Sequence, residues 1–275
     1  MQRKLFKTAP LPFQGQKRRF VNQVKELVSK YPENTIFIDL FGGSGLLSHN
    51  IKHELPHARV IYNDYDNYSY RVNKIPVTNE LLAEIRKITS NLESDKKIGA
   101  LDKRLILEII KSYEENGLYV DYITLSSSLL FSMNYVSNLE ALSRQTFYNC
   151  VRTTDYDAFG YLDGLEVVSC DYKELYQKYK DIDNVVFLVD PPYLATVSTG
   201  YKDNYWSMKD YLDVLDVLDG TNFIYFTSNK SEIVELCEWL DDHKGFTNPF
   251  KAAKTSTVKV NVNHSASYTD MMLFN

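Results

Sequence analysis

The 275-residue chain is 44% hydrophobic and 24% charged, the balance of a globular protein with room for a core domain and an insertion. No apolar run approaches the roughly 20 residues that span a bilayer, and the opening MQRKLFKTAPLPF is basic but lacks the apolar stretch expected of a secretory signal. A net charge of −5 argues mildly against a nucleic-acid partner, yet binding depends on local patches: Arg3, Lys4, Lys7, Lys17, Arg18 and Arg19 form one basic set, and Arg86, Lys87, Lys96, Lys97, Lys103 and Arg104 a second.

Apolar patterning predicts a helix at Phe20–Lys30, a strand at Thr35–Leu40, a helix at Leu46–Glu54 and a strand at Arg59–Tyr62. From about residue 70 to residue 160 the pattern is helical (Asn79–Ile88, Asp102–Glu114, Ile123–Phe131), then polar and irregular through Asn134–Tyr161. Strands return at Glu166–Ser169, Val185–Val189 and Asn222–Thr227, with a weaker one near Thr269–Phe274. Lys173–Tyr179, Ser207–Leu218 and Glu232–Leu240 read as helices among them. Continuous apolar strands suit a parallel sheet covered on both faces. The alternation predicts an α/β doubly wound domain from residues 1–70 and 161–275, interrupted by a mainly helical insertion at 71–160.

Four strand ends carry candidate chemistry. In Phe37-Ile38-Asp39-Leu40-Phe41-Gly42-Gly43-Ser44-Gly45 a buried strand runs into a glycine turn and then a helix, where backbone can approach a ligand. Asp39 just before the turn would repel a phosphate but suits an ammonium. Asp64, about 20 residues beyond the turn, has the position of an acid that accepts from ribose hydroxyls, or is a solvated loop acid. Asp171 could accept from an adenine amino group, cap the following helix, or do both. Val189-Asp190-Pro191-Pro192-Tyr193 makes a rigid turn with a carboxylate and an aromatic ring at its ends. Asp190 and the Pro191 carbonyl can accept two N–H hydrogens from a planar base while the Tyr193 ring stacks on its face.

The order of a glycine turn in the form F-x-G-x-G, an insertion and D-P-P-Y resembles the alpha group of N6-adenine DNA methyltransferases, the Dam-like enzymes. Pro12-Phe13-Gln14-Gly15-Gln16-Lys17 is similar to that family's cofactor-side segment, and Asn63-Asp64 and Asp171 to its acids after strands two and three. Asn134, Tyr148-Asn149 and Phe159-Gly160-Tyr161 are similar to its DNA-contacting segment. The resemblance implies a Rossmann-like S-adenosylmethionine-dependent methyltransferase fold, a DNA-recognition insertion, and methyl transfer to N6 of an adenine flipped from duplex DNA. It assigns catalysis to Asp190, Pro191, Pro192 and Tyr193, and S-adenosyl-L-methionine contacts to Phe13, Gly15, Lys17, Asp39, Phe41, Gly43, Gly45, Asp64, Asp171 and Asp190. DNA contacts are expected at Asn134, Tyr148 and Asn149, joined by Arg144, Gln145 and Arg152, whose side-chain types bond base edges bidentately. It further implies double-stranded DNA as partner, no membrane or metal, a monomer or weak dimer, a cytoplasmic location, and a bacterial or phage setting in which a restriction enzyme can accompany it. Gln16 stands where a second glycine is usual, and Arg152-Thr153-Thr154-Asp155 replaces the usual stretch of the insertion, so the target sequence does not carry over.

Other features are weighed and set aside. His49, His53 and His57 recur every four residues without a cysteine or acidic partner for a metal, and Cys150, Cys170 and Cys237 lack CxxC spacing. Trp206 and the Tyr201–Tyr205 cluster could close over a base or simply pack. The alternatives are a methyltransferase for another amino group, a non-catalytic DNA-binding relative, and a nicotinamide dehydrogenase. The last lacks G-x-G-x-x-G.

Overall fold

The structure, a computed structural model, describes residues 4–131, 134–194, 206–261 and 267–275. In chain order its elements begin with α1 (Val21–Val28), β1 (Ile36–Asp39), α2 (Leu46–Glu54), β2 (Arg59–Asn63), α3 (Tyr68–Asn73) and α4 (Ile75–Thr89). Next come α5 (Ala100–Glu115), α6 (Tyr122–Leu129), α7 (Leu139–Ser143), β3 (Glu166–Val168), α8 (Tyr172–Tyr179) and β4 (Val185–Val189). The chain closes with α9 (Met208–Leu218), β5 (Asn222–Ser228), α10 (Ile233–Lys244), β6 (Lys254–Asn261) and β7 (Ser267–Phe274). Two compact units result: the residues up to Thr8 with Gln16–Asp66 and Leu162–Asn275, and Ala9–Gly15 with Asn67–Tyr161.

The first unit is a seven-stranded sheet in the order β3-β2-β1-β4-β5-β7-β6, parallel from β3 to β5 and antiparallel at β7 and β6. Strand residues alternate between two cores. Phe37, Val60, Val186, Leu188 and Ile224 pack with Phe20, Val24 and Val28 of the α1 region and Leu47 and Ile51 of α2. Ile38, Ile61, Phe187, Val189 and Phe223 pack with α8, α9 and α10. Burial on both faces explains the unbroken apolar runs of β4 and β5. The result is a Rossmann-like α/β fold. Its strand order reverses direction between β1 and β4, and there the carboxyl ends of two neighbouring strands leave a crevice.

β6 was not expected. Only Val260 on it is fully buried, so it carries no apolar run; Thr255, Thr257, Val258 and Val260 supply β-branched propensity, and pairing to β7 does the rest.

The second unit is helical. Leu81, Leu82 and Ile85 of α4 and Ile106 and Ile110 of α5 are buried, and α3 and α7 are short helices that the patterning does not reveal. α6 stops at Leu129, two residues short of the expected end at Phe131, because the carbonyls of Ser128 and Leu129 accept from the backbone of Cys150 and Tyr148. A buried ion pair joins Arg71 to Asp121 at 3.1 Å, with side chains 7% and 2% exposed. Asp121 also caps α6 through Ile123 N and Thr124 N, while Arg71 donates to the Pro12 carbonyl. The Tyr68 hydroxyl accepts from Leu11 N and donates to Leu11 O, so residues 9–15 are tied into this unit.

Candidate active site

Asp39 pairs in register with Leu188, so Asp190, the first residue beyond β4, leaves the sheet beside the end of β1. One oxygen of Asp190 lies 2.6 Å from the Lys17 ammonium, and the two side chains are 17% and 10% exposed. The other oxygen, Oδ1, is buried and has no hydrogen-bond partner among the described residues. Burial pushes the Asp190 carboxyl up against the opposing pull of Lys17. The Lys17 ammonium also lies 5.1 Å from the Tyr193 ring centroid. Pro191 is buried, and Pro192 and Tyr193 are half-buried.

On the neighbouring strand Asp39 is 2% exposed and accepts from the Ser48 hydroxyl at 2.7 Å. Burial, helped by the charge of Asp190 and opposed by Ser48 and Lys17, pushes its carboxyl up to about 7. Asp270 on β7 is raised by burial too, with Lys17 and Arg19 opposing. Lys17 therefore faces a surplus of carboxylates, an environment suited to a ligand carrying positive charge.

The glycine turn has two different reasons for glycine. Gly43 and Gly45 adopt φ of 49° and 71°, and Gly45 caps α2. At Gly42 a Cβ would stand 2.3 Å from the Tyr62 ring, so this glycine serves packing. The Tyr62 hydroxyl lies 2.7 Å from the Gly43 carbonyl and 3.0 Å from Asp64 Oδ1, bracing turn and acid together. Asn63 donates to Leu40 O and Cys170 O and accepts from Cys170 N, binding three strand ends. Asp171 is exposed and caps α8 by accepting from Lys173 N at 2.8 Å.

Phe41 contacts the rings of Tyr172 at 4.8 Å and Trp206 at 5.7 Å, and Trp206 stacks on Tyr172. Trp206 thus packs into an aromatic group beside the turn, whereas Tyr201–Tyr205 lies outside the described residues. Ser48, Tyr62, Tyr172 and Asp270 were given no role by sequence reading, and Asn63 was noted only as the neighbour of Asp64. Only the position of Ser48 in the first turn of α2 offered a signal. Of the expected cofactor residues, Lys17, Asp39, Phe41, Gly43, Gly45, Asp64, Asp171 and Asp190 belong to the first unit. Phe13, whose ring meets Tyr68 at 5.6 Å, and Gly15, with φ of 84°, belong to the second.

The expected DNA contacts all lie in the second unit. The Asn134 amide donates to Gln145 Oε1 at 2.9 Å, Arg144 pairs with Glu140, and Arg152 lies 4.4 Å over the Tyr156 ring. Tyr148 meets the exposed Phe131 edge to face at 4.3 Å. The Asn149 amide is turned to the carbonyls of Leu92, Glu93 and Thr89 at the end of α4.

His49 accepts from Phe6 N at 3.1 Å, a structural role for one of the three histidines. Among the described residues no group of three or more His, Cys, Asp or Glu could hold a metal, and no helix is long and apolar enough to cross a membrane.

A family model described as D12 class N6 adenine-specific DNA methyltransferase matches residues 13–263. A Haemophilus influenzae protein named "Putative methyltransferase" is 39% identical over 99% of this chain and 93% of its own length. A precorrin-6y C5,15-methyltransferase from Geobacter metallireducens superposes at 10% identity with a TM-score of 0.39 over 100% of both chains, a likeness too slight to argue from.

Proposed function

The chain belongs to the D12 class of N6 adenine-specific DNA methyltransferases, and from that membership we propose that the crevice between β1 and β4 is its catalytic centre, with Asp190 the catalytic carboxylate. The enzyme methylates adenine in DNA and uses S-adenosylmethionine.

The buried acceptor Oδ1 of Asp190, without a partner among the described residues, carries this reading. A buried carboxylate oxygen left unpaired costs free energy unless a ligand completes it. The substrate's exocyclic amino group is the donor that fits. Asp190 Oδ1 accepts one N–H and the Pro191 carbonyl the other, which draws the nitrogen lone pair out of conjugation. Lys17 holds Oδ2 and fixes the direction of the carboxylate. Tyr193 packs against the base, which must leave the duplex stack for its amino group to be reached.

Bound S-adenosylmethionine supplies an electrophilic methyl on a sulfonium. An amino nitrogen that took this methyl, with the thioether of the cofactor as leaving group, would carry positive charge. Asp190 stabilises that charge most in the transition state, and the surplus proton leaves to it or to water. The residues present fit the cofactor. Asp39, buried and acidic, would meet the ammonium; Gly43 and Gly45 would let backbone come close; Asp64 would accept from ribose hydroxyls; Phe41 and Asp171 would border the adenine. Phe13 and Gly15 belong to the N-terminal cofactor-side segment, and Lys17 serves the cofactor through Asp190. In the second unit Asn134, Arg144, Gln145, Tyr148 and Arg152 form the DNA-reading face, with Asn149 bracing it. A cytoplasmic enzyme acting on duplex DNA without a metal, as monomer or weak dimer, completes the reading.

Transfer of labelled methyl from S-adenosylmethionine to unmethylated duplex DNA tests it. Wild type is expected to label adenine N6, and Asp190→Ala to lose about 10²–10⁴-fold in rate at saturating cofactor. Undiminished transfer by Asp190→Ala would exclude Asp190 from catalysis.

A further inference from the structure

Lys103 belongs by sequence to a basic set that invites a phosphate-binding role. The structure uses it otherwise. It stands near the start of α5, where the aligned peptide dipoles disfavour a cation. Its ammonium nevertheless turns inward, donating to the Ser143 carbonyl at 2.7 Å and the Gln145 carbonyl at 2.6 Å. Ser143 ends α7, so the cation meets one carbonyl that the helix leaves unpaired and a second just beyond the cap. The buried Phe147 ring lies 5.0 Å beneath the same ammonium. Two of its three donors and one ring face are thus spent within the protein.

What lies between those carbonyls matters. Arg144 and Gln145 form the short connection that Lys103 grips, and the Gln145 side chain accepts from Asn134. From Phe147 to Asn149 the chain is fixed to a neighbouring segment by Ile98 N to Phe147 O and Asn149 N to Lys96 O. Lys103 is the side chain that holds the remaining end, just before Phe147.

We propose that Lys103 is a positioning residue for target recognition, gripping the Ser143 and Gln145 carbonyls so that the Asn134–Gln145 amide pair meets base edges as one unit. The proposal rests on the reading that this pair faces DNA. An amide pair linked through one hydrogen bond keeps its outer donor and acceptor in fixed relation, and bidentate contacts to a base depend on such fixity. Release of the grip costs discrimination between sites, while the count of phosphate contacts stays the same.

The test maps the methylated site with the full-length wild-type enzyme, then measures single-turnover methylation of that duplex and of duplexes with one base changed. The salt dependence of binding is measured on the same DNA. Lys103→Met and Gln145→Ala are each expected to lower the ratio of cognate to altered-site rates at least tenfold, with the salt slope unchanged. Lys103→Arg, whose guanidinium can reach both carbonyls, is expected to restore most of the ratio. If Lys103→Met does not fold, Lys103→Gln, which keeps a donor, carries the comparison. A slope reduced by about one with the ratio intact would make Lys103 a phosphate contact and overturn the proposal. An intact ratio with an unchanged slope overturns it as well, provided Gln145→Ala relaxes discrimination. If Asn134→Ala and Gln145→Ala both leave the ratio intact, the DNA-facing reading of the pair fails and takes the proposal with it.

Discussion

At Asp39, burial outweighs both the Ser48 hydroxyl and the Lys17 ammonium and holds the carboxyl near 7 instead of 3.8. Because the folded value lies above the unfolded one, the protonated form favours the fold. That contribution is complete below the unfolded pKa and is lost as pH rises through about 7. An ammonium ligand needs the opposite form. Cofactor affinity is therefore expected to weaken as pH falls below about 7, approaching tenfold per pH unit, with a proton released on binding near neutrality. Calorimetric titration of S-adenosylmethionine across that range checks this, and Asp39→Asn is expected to bind weakly with a flat profile. A flat wild-type profile would show that Asp39 does not meet the ammonium. Asp39, Asp64 and Asp190 were legible because each ends a strand beside a turn whose residues restrict its chemistry. Tyr62 and Asp270 were not, since their roles arise from neighbours on other strands. Nothing in Val60-Ile61-Tyr62-Asn63 says that the Tyr62 ring covers Gly42.

Elements buried on two faces were the easiest to read. β4 matches its expected bounds residue for residue, and α2 does the same behind its glycine turn. Edge and partner-dependent elements were harder, because β6 owes its existence to β7, and α3 and α7 are too short to show a period. The stretch from Asn134 to Tyr161 reads as irregular, yet its backbone pairs with residues 95–98 and with the end of α6. Asn149 shows how such a segment earns its order: its amide meets the carbonyls of Thr89, Leu92 and Glu93 at and just beyond the end of α4, the bond to Leu92 O being the shortest at 2.8 Å. Asn149→Ala is expected to cost about 1–2 kcal/mol, lowering the melting temperature by several degrees. Target discrimination should stay as in wild type, because the backbone bonds of Phe147 and Asn149 to residues 95–98 still hold the segment without the amide. Scanning calorimetry and the single-turnover site ratios check the two halves, and a relaxed ratio at unchanged stability would make Asn149 a base contact.

For the whole molecule, a net charge of −5 and a DNA substrate are compatible because charge is divided by place. Asp39, Asp190 and Asp270 all feel the charge of Lys17 in the first unit, around the proposed cofactor site. The second unit carries the DNA-reading candidates and a buried ion pair of its own. Arg71 and Asp121 sit where charge is costly, and each also holds backbone: Pro12 O on one side, the start of α6 on the other. Arg71→Met would leave Asp121 charged and unpaired, which costs about 3–5 kcal/mol. The chain divides into two compact units, so the loss should remain local. Hydrogen exchange is expected to show lost protection in residues 9–15 and 67–161, while the amides of β1, β4 and β5 keep theirs. Equal loss of protection throughout would mean that the two units fold as one cooperative body, with the ion pair stabilising the sheet as much as the helices.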